Sequence, residues 1–196
     1  MATVSRMLVA LATLVAAASS VAANQPGPAP GSGAWVASLE PEWSRPVGGR
    51  TGFVGVEEYG RCSVFVDNGR IEVVSPGGDV IWAWPFRAIS RLLNPRDAAV
   101  SPDCDAIAVV GDASFKHALI ARRDGTVSTL SLAATPSEAR FDHDGRLVAV
   151  GTYGGAVHLY ARDGAWVWSR QTNARIVQSL DFSDDNERIT FSSWAG

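Results

Sequence analysis

The chain has 196 residues, 46% of them apolar, and a net charge of −3. Beyond an N-terminal leader, about 160 residues remain, enough for one domain with a substantial core and too few for a second independent one. Lys116 is the only lysine and the arginines are scattered, which excludes the clustered basic surface of a nucleic-acid-binding protein.

The chain opens with Arg6, an apolar stretch over residues 7–18 (MLVALATLVAAA) and the small residues 19–23 (SSVAA). This is the layout of a secretory signal peptide spanning 1–23, with cleavage expected after Ala23. Twelve apolar residues fall short of the roughly 20 that cross a bilayer core, so no membrane span is expected after cleavage. Residues 24–47 form a Pro/Gly-rich leader and extension, beginning NQPGPAPGSG, a composition that buries little apolar surface. Short apolar segments at 35–38 and 53–56 precede the regular part of the chain.

From residue 48 to 196 one pattern recurs. VSPDCDAIAV begins at Val100, FDHDGRLVAV at Phe141 and FSDDNERITF at Phe182, successive starts lying 41 residues apart. A fixed period of this size marks a repeat architecture. The clearest copy reads as four short strands: 146–152 (RLVAVGT), a near-continuous apolar run suited to burial on both faces; 156–161 (AVHLYA), alternating with period two; 165–170 (AWVWSR), after the tight turn Asp163-Gly164; and 176–182 (IVQSLDF). The same frame gives units over about 61–100 and 106–141, and residues 187–196 begin a fourth. Helical repeats need apolar positions three and four apart over longer stretches, and glycine, proline or Asp-Gly breaks this chain too often for that.

The expected fold class is therefore all-β: four-stranded antiparallel blades of a β-propeller, three full and one partial. The orphan strand at 187–193 has three possible fates. It pairs with N-terminal strands such as 35–38 and 53–56 to close a small ring, it edges an open arc, or the chain is part of a longer propeller; the last is preferred, since a terminal blade is normally closed or capped. Within the turn-plus-strand element, Trp82 and Trp168 each stand four residues after a glycine, Gly78 and Gly164, and Thr129 takes that place after Gly125.

Cys62 and Cys104 sit in successive repeats at non-equivalent positions. In an oxidising compartment they either pair or stand as two separate buried thiols.

The residues 182–186 (FSDDN), 141–145 (FDHDG) and 101–103 (SPD) resemble the F-S-P-D-G turn that precedes the innermost strand in WD40-like and TolB-like β-propeller repeats. Residues 161–168 (ARDGAWVW) resemble a shortened Asp-x-x-Gly-x-x-x-Trp motif of pyrroloquinoline-quinone-like, quinoprotein-type blades. The resemblance covers roughly 48–196. The Gly-His and Trp-Asp dipeptides of WD40 repeats and the adjacent cysteines of soluble quinoprotein dehydrogenases are absent, so the resemblance implies the fold without the cofactor.

Candidate chemistry is sparse. The cluster Asp142, His143 and Asp144 with Asp181, Asp184 and Asp185 has calcium-like composition, but Asp-x-Asp-Gly spacing also makes a hairpin turn with no metal. His117, His143 and His158 stand one per location, without zinc-ligand spacing. No Gly-x-Ser-x-Gly elbow occurs. Trp82, Trp84, Trp166 and Trp168 recur between units as packing residues do. No catalytic, cofactor-binding or metal-ligating residue is assigned and no cofactor is expected. The functional expectation is a secreted or periplasmic, non-enzymatic binding or scaffold module that takes protein partners through loops at one end of its ring. The alternative is a degenerate quinoprotein-type oxidoreductase or a fragment of a larger propeller-containing enzyme.

Overall fold

The computed structural model describes residues 51–56, 60–67, 70–85, 95–111 and 116–194. The expected signal peptide (1–23) and extension (24–47), with Trp35 and Trp43, lie outside the described residues. Fourteen strands and no helix occur among those described. They are β1 (Thr51–Val56), β2 (Ser63–Asp67), β3 (Arg70–Val74), β4 (Val80–Pro85), β5 (Pro95–Val100), β6 (Ala106–Gly111) and β7 (His117–Arg122), followed by β8 (Val127–Ser131), β9 (Pro136–Phe141), β10 (Leu147–Thr152), β11 (Ala156–Ala161), β12 (Trp166–Gln171), β13 (Ile176–Phe182) and β14 (Ile189–Trp194).

Three sheets have four antiparallel strands each, in the orders β1-β2-β3-β4, β5-β6-β7-β8 and β9-β10-β11-β12, and β13-β14 form a fourth, two-stranded sheet. The all-β class and the four-stranded antiparallel unit thus stand as expected, and none of the sheets closes on itself. The phase of the unit differs by one strand from the repeat frame. The segment at 97–100, expected as a fourth strand beside 80–84, instead opens the next sheet, with Ala98 opposite Val109. The same shift moves 138–141 and 176–182, each of which pairs with the strand after it rather than the strand before.

The first strands β1, β5, β9 and β13 pack against one another in succession, and the sheets fan outward from them. The SPD, DHDG and SDDN turns therefore follow the innermost strand rather than precede it. Residues 53–56, one of the closing partners considered for 187–193, pair with β2, while β14 pairs with β13; the other, 35–38, lies outside the described residues.

The second and third sheets are apolar on both faces, each packed between two neighbours. On β6 every residue is buried, and the alternation of a strand sends successive side chains opposite ways. Ile107 and Val109, with Leu119 and Ala121 of β7, join Val64, Val66, Ile71, Val73 and Trp82 of the first sheet in one core. Ala108, Val110, Ala118 and Ile120 join Leu130, Ala139, Val148, Val150 and Tyr160 in the next. A third core packs Ala149, Val157 and Leu159 on Val177, Leu180 and Phe182.

The turns after β5, β9 and β13 each have one residue in the left-handed region, at positions one period apart: Cys104 (φ 61°), Gly145 (φ 67°) and Asn186 (φ 59°). Glycine and asparagine adopt that conformation readily, and cysteine does so at a cost. Side-chain hydrogen bonds hold the turn in shape. Asp103 Oδ1 accepts from Ser101 Oγ at 2.6 Å and from the Asp105 amide at 3.1 Å, and Ser101 Oγ accepts from the Ala106 amide at 2.9 Å.

Of the two alternatives for the cysteines, the structure has the bond. Cys62 and Cys104 form a disulfide with Cα atoms 6.1 Å apart, tying the first sheet to the inner turn of the second. Trp82 Nε1 donates to the Cys104 carbonyl at 2.6 Å in the same junction. With the two cysteines 42 positions apart in sequence, opening the link should cost roughly 4 kcal/mol of stability by loop entropy. Urea unfolding with and without reductant measures this; identical midpoints would refute it.

Candidate functional site

Two features stand outside the regular packing: an uncovered aromatic face on the outer strands, and a carboxylate network along the inner ones.

The outer strands β4, β8 and β12 each follow a tight turn with a positive-φ glycine, Gly78, Gly125 and Gly164. Strand pairing sets which side chains are equivalent. Trp82 lies opposite Val73 and Trp168 opposite Leu159, in each case after a bulge that adds one residue to the outer strand. β8 has no bulge, so Ser128, opposite Ile120, takes the matching place. Counting from the glycine had put Thr129 there, but Thr129 is exposed. The bulge explains the slip, since an inserted residue shifts the side-chain alternation beyond it.

In the first sheet this face is covered. Trp82 is buried and bonded to Cys104, and Trp84 packs on the same core. In the third sheet it is open. Trp168 is 36% and Trp166 63% exposed, so the packing role expected for all four tryptophans holds for Trp82 and Trp84 and fails for Trp166 and Trp168. The reason is the neighbour: the sheet that faces β12 has only β13 and β14 among the described residues. A cleft of about 580 Å³ results, walled by Trp168 and Arg170 of β12 and by Ile189 and Phe191 of β14, with Val157 and Gln171 also lining it. Phe191 is 43% exposed.

On the inner side, Asp97 of β5 reaches the edge of β9, where Asp97 Oδ2 accepts from the Ala139 amide at 3.0 Å. Glu138, one period later, accepts from the Leu180 amide of β13. Arg140 sits between the two carboxylates, 2.5 Å from Glu138 Oε1 and 3.4 Å from Asp97 Oδ2. Each carboxylate thus satisfies a backbone donor on the next sheet's exposed edge. Glu138 Oε2 is buried without a hydrogen-bond partner. Burial pushes the Glu138 carboxyl up to about 7, Arg140 opposes the shift, and the negative charges of Asp97 and Asp181 add to it. Burial also raises Asp97, again against Arg140. No motif marks this network in the sequence; its one legible trace is the 41-residue interval from Asp97 to Glu138.

Asp142, Asp181 and Asp185 of the turn cluster are used locally. Asp142 Oδ1 accepts from the amides of Arg146 and Leu147 at 2.7 and 2.9 Å, and Asp185 Oδ1 from Ser183 Oγ and the Glu187 amide. The His143 amide donates to Asn186 Oδ1, linking two successive turns. Among the described residues no three His, Cys, Asp or Glu side chains are placed to hold a metal. The three histidines lie on separate elements: His117 at the start of β7, His143 in the turn between β9 and β10, and His158 on β11. His158 stacks beside Tyr160, and burial lowers its pKa and favours the neutral ring.

Two outcomes follow. Trp82→Ala should lose roughly 3–5 kcal/mol and Trp168→Ala less than about 1 kcal/mol; denaturant unfolding of both variants checks this, and equal losses would show that the two faces are equally covered. A folded pKa near 7 against an ordinary 4.5 for Glu138 means the native state holds the proton more tightly than the unfolded chain. The stability from this group is therefore complete below about pH 4.5 and is lost as pH rises through 7. Glu138→Gln should remove that slope, gaining about 2–3 kcal/mol on wild type between pH 5 and pH 8; parallel pH profiles for the two proteins would refute it.

No family model matches the chain, and no curated protein matches it. Among solved structures it is similar to a chain of hydrazine synthase from Kuenenia stuttgartiensis, with a TM-score of 0.57 and 16% identity, over 72% of this chain and 41% of that one. The match thus spans less than half of that protein's chain. In all, 1047 solved chains match, a breadth expected of an architecture that hosts many functions. The likeness establishes a propeller-like all-β fold and no more.

Proposed function

We propose that this chain is a secreted or periplasmic β-propeller repeat protein that acts as a binding module, its sheets being the blades and its site the cleft between β12 and β14. The observation that carries the reading is that cleft, where Trp168 and Phe191 stand exposed beside Arg170 while the equivalent Trp82 is covered. Exposed aromatic residues beside arginine are the side chains that dominate protein-binding sites. The disulfide favours an oxidising compartment, in keeping with the signal-like N-terminus. Asp142 and Asp185 are engaged in turns, and Glu138 and Asp97 in the inner carboxylate network.

A second reading draws on the fold likeness to a chain named as an enzyme and on the quinoprotein-like Asp-Gly-to-Trp element. Thermal unfolding of the purified protein with pyrroloquinoline quinone and calcium separates the two. The binding-module reading expects an unchanged midpoint and no retained quinone absorbance. A calcium-dependent rise of several degrees with stoichiometric quinone would overturn it in favour of an oxidoreductase.

A further inference from the structure

The third sheet meets each of its two neighbours across a buried titratable group with an unpartnered atom, and the two groups are of opposite kind. Toward the second sheet the group is His158. It lies opposite Val150 of β10, the register in which Leu119 lies opposite Val109 one period earlier. Leu119 fills the first core, so a histidine takes a leucine's place in the next junction. Alternation along β11 puts His158 on the face of Tyr160, which belongs to the core with Ala118, Ile120, Leu130 and Leu132 and donates its hydroxyl to the Ser131 carbonyl at 3.2 Å. His158 is 9% exposed, and its Nε2 is buried without a hydrogen-bond partner. Ser169 stands across from it on β12, while Arg170 lies opposite Val157 and so on the other face. Burial is the sole cause that lowers its pKa, and burial raises that of Tyr160, which keeps the phenol neutral. An imidazolium donates from both nitrogens, and here one of them has no acceptor.

Toward the fourth sheet the group is Glu138. It accepts from the Leu180 amide of β13 and pairs with Arg140 through Oε1, and its Oε2 is buried without a partner. The charged groups acting on it are Arg140 on its own strand, Asp97 from β5 and Asp181 from β13. An ionised carboxylate only accepts hydrogen bonds, so leaving one of its oxygens buried without a donor is costly. Both groups therefore fit their junctions best when uncharged.

We propose that the third sheet carries a reciprocal pH response: a rise in pH from mildly acidic to neutral tightens its junction with the second sheet through His158 and loosens its junction with the fourth through Glu138. Opening the first junction returns His158 from a lowered value to an ordinary 6.5. Closure there is complete above about 6.5 and weakens as pH falls below it. Opening the second returns Glu138 from about 7 to 4.5, so closure is complete below 4.5 and weakens as pH rises to 7. In global unfolding the two slopes oppose each other, and the trade between junctions shows only in a measurement that separates them. The response is independent of what the cleft binds.

Hydrogen exchange of the full-length protein between pH 5 and pH 7, resolved by segment and corrected for the intrinsic pH dependence of exchange, makes that separation. Protection of residues 128–131 in β8 and 157–160 in β11 should rise with pH, and that of 177–181 in β13 should fall, each by up to ~10-fold per pH unit, the slope of one proton. His158→Leu, which copies the preceding repeat, should flatten the first trend and leave the second; Glu138→Gln should do the reverse. His158→Gln, polar but unable to titrate, should flatten the first trend as well, which distinguishes lost titration from altered packing. Protection that rises or falls together at both junctions would overturn the proposal, as would a trend that survives its own substitution. Loss of both trends in either single variant would also overturn it, by assigning them to one global opening.

Discussion

Sheet-on-sheet packing is the constraint from which the rest of the molecule follows. A four-stranded antiparallel sheet with apolar residues on both faces cannot be stable alone in water, since it would expose the surface whose burial drives folding. Here each sheet supplies one wall of a core and its successor the other. The division is visible on β6, where Ile107 and Val109 serve one core and Ala108 and Val110 the next. Ile107 fills the first core where Ala108 faces the second, and a valine goes each way, so the strand fits two neighbours of different shape. Burial of this kind is non-directional, and direction is added by the polar contacts at the two radial extremes.

At the inner extreme the problem is the edge of the first strand. Its unpaired amides face away from the sheet, and a buried amide without an acceptor is costly. Asp97 and Glu138 meet this by reaching from one sheet to an amide of the next, a contact that runs one way along the chain. The arrangement places two carboxylates near one arginine, and burial, with a lesser contribution from the Asp97 charge, raises the proton affinity of Glu138. The network is thus explained by edge satisfaction, and its titration near neutrality is a by-product of where those edges lie. At the outer extreme Ser128 and Arg122 do the corresponding work, donating to the Asp163 and Arg162 carbonyls of the next sheet, while the disulfide and the Trp82 bond tie the first two sheets at the Cys104 turn.

Much of this was legible in the sequence, for local reasons. Strand segments followed from alternation and from the doubly buried runs at 106–110 and 147–152, and the tight turns from Asp-Gly and the SPD-like elements. What was not legible depended on contacts distant along the chain. The unit phase slipped by one strand because strand order in the chain does not say which gap is a hydrogen-bonded hairpin and which a crossing between sheets. The place of Ser128 was missed because a bulge leaves no compositional mark, and the exposure of Trp166 and Trp168 because burial belongs to the neighbour rather than to the residue. The cysteine pair was undecidable from spacing, and the carboxylate network had only its period to betray it.

The bulge in β12 has a consequence of its own. Residues two apart on a regular strand point the same way, yet Trp166 lies opposite Tyr160 and Trp168 opposite Leu159, successive residues of β11. The inserted Val167 therefore sends the two indoles to opposite sides of an edge strand. A ribbon carrying a bulky ring on each side, with the extra twist a bulge imposes, cannot lie flat against a second such ribbon. The outermost strand is thereby shielded from indiscriminate stacking into fibrils, although all six of its residues are exposed.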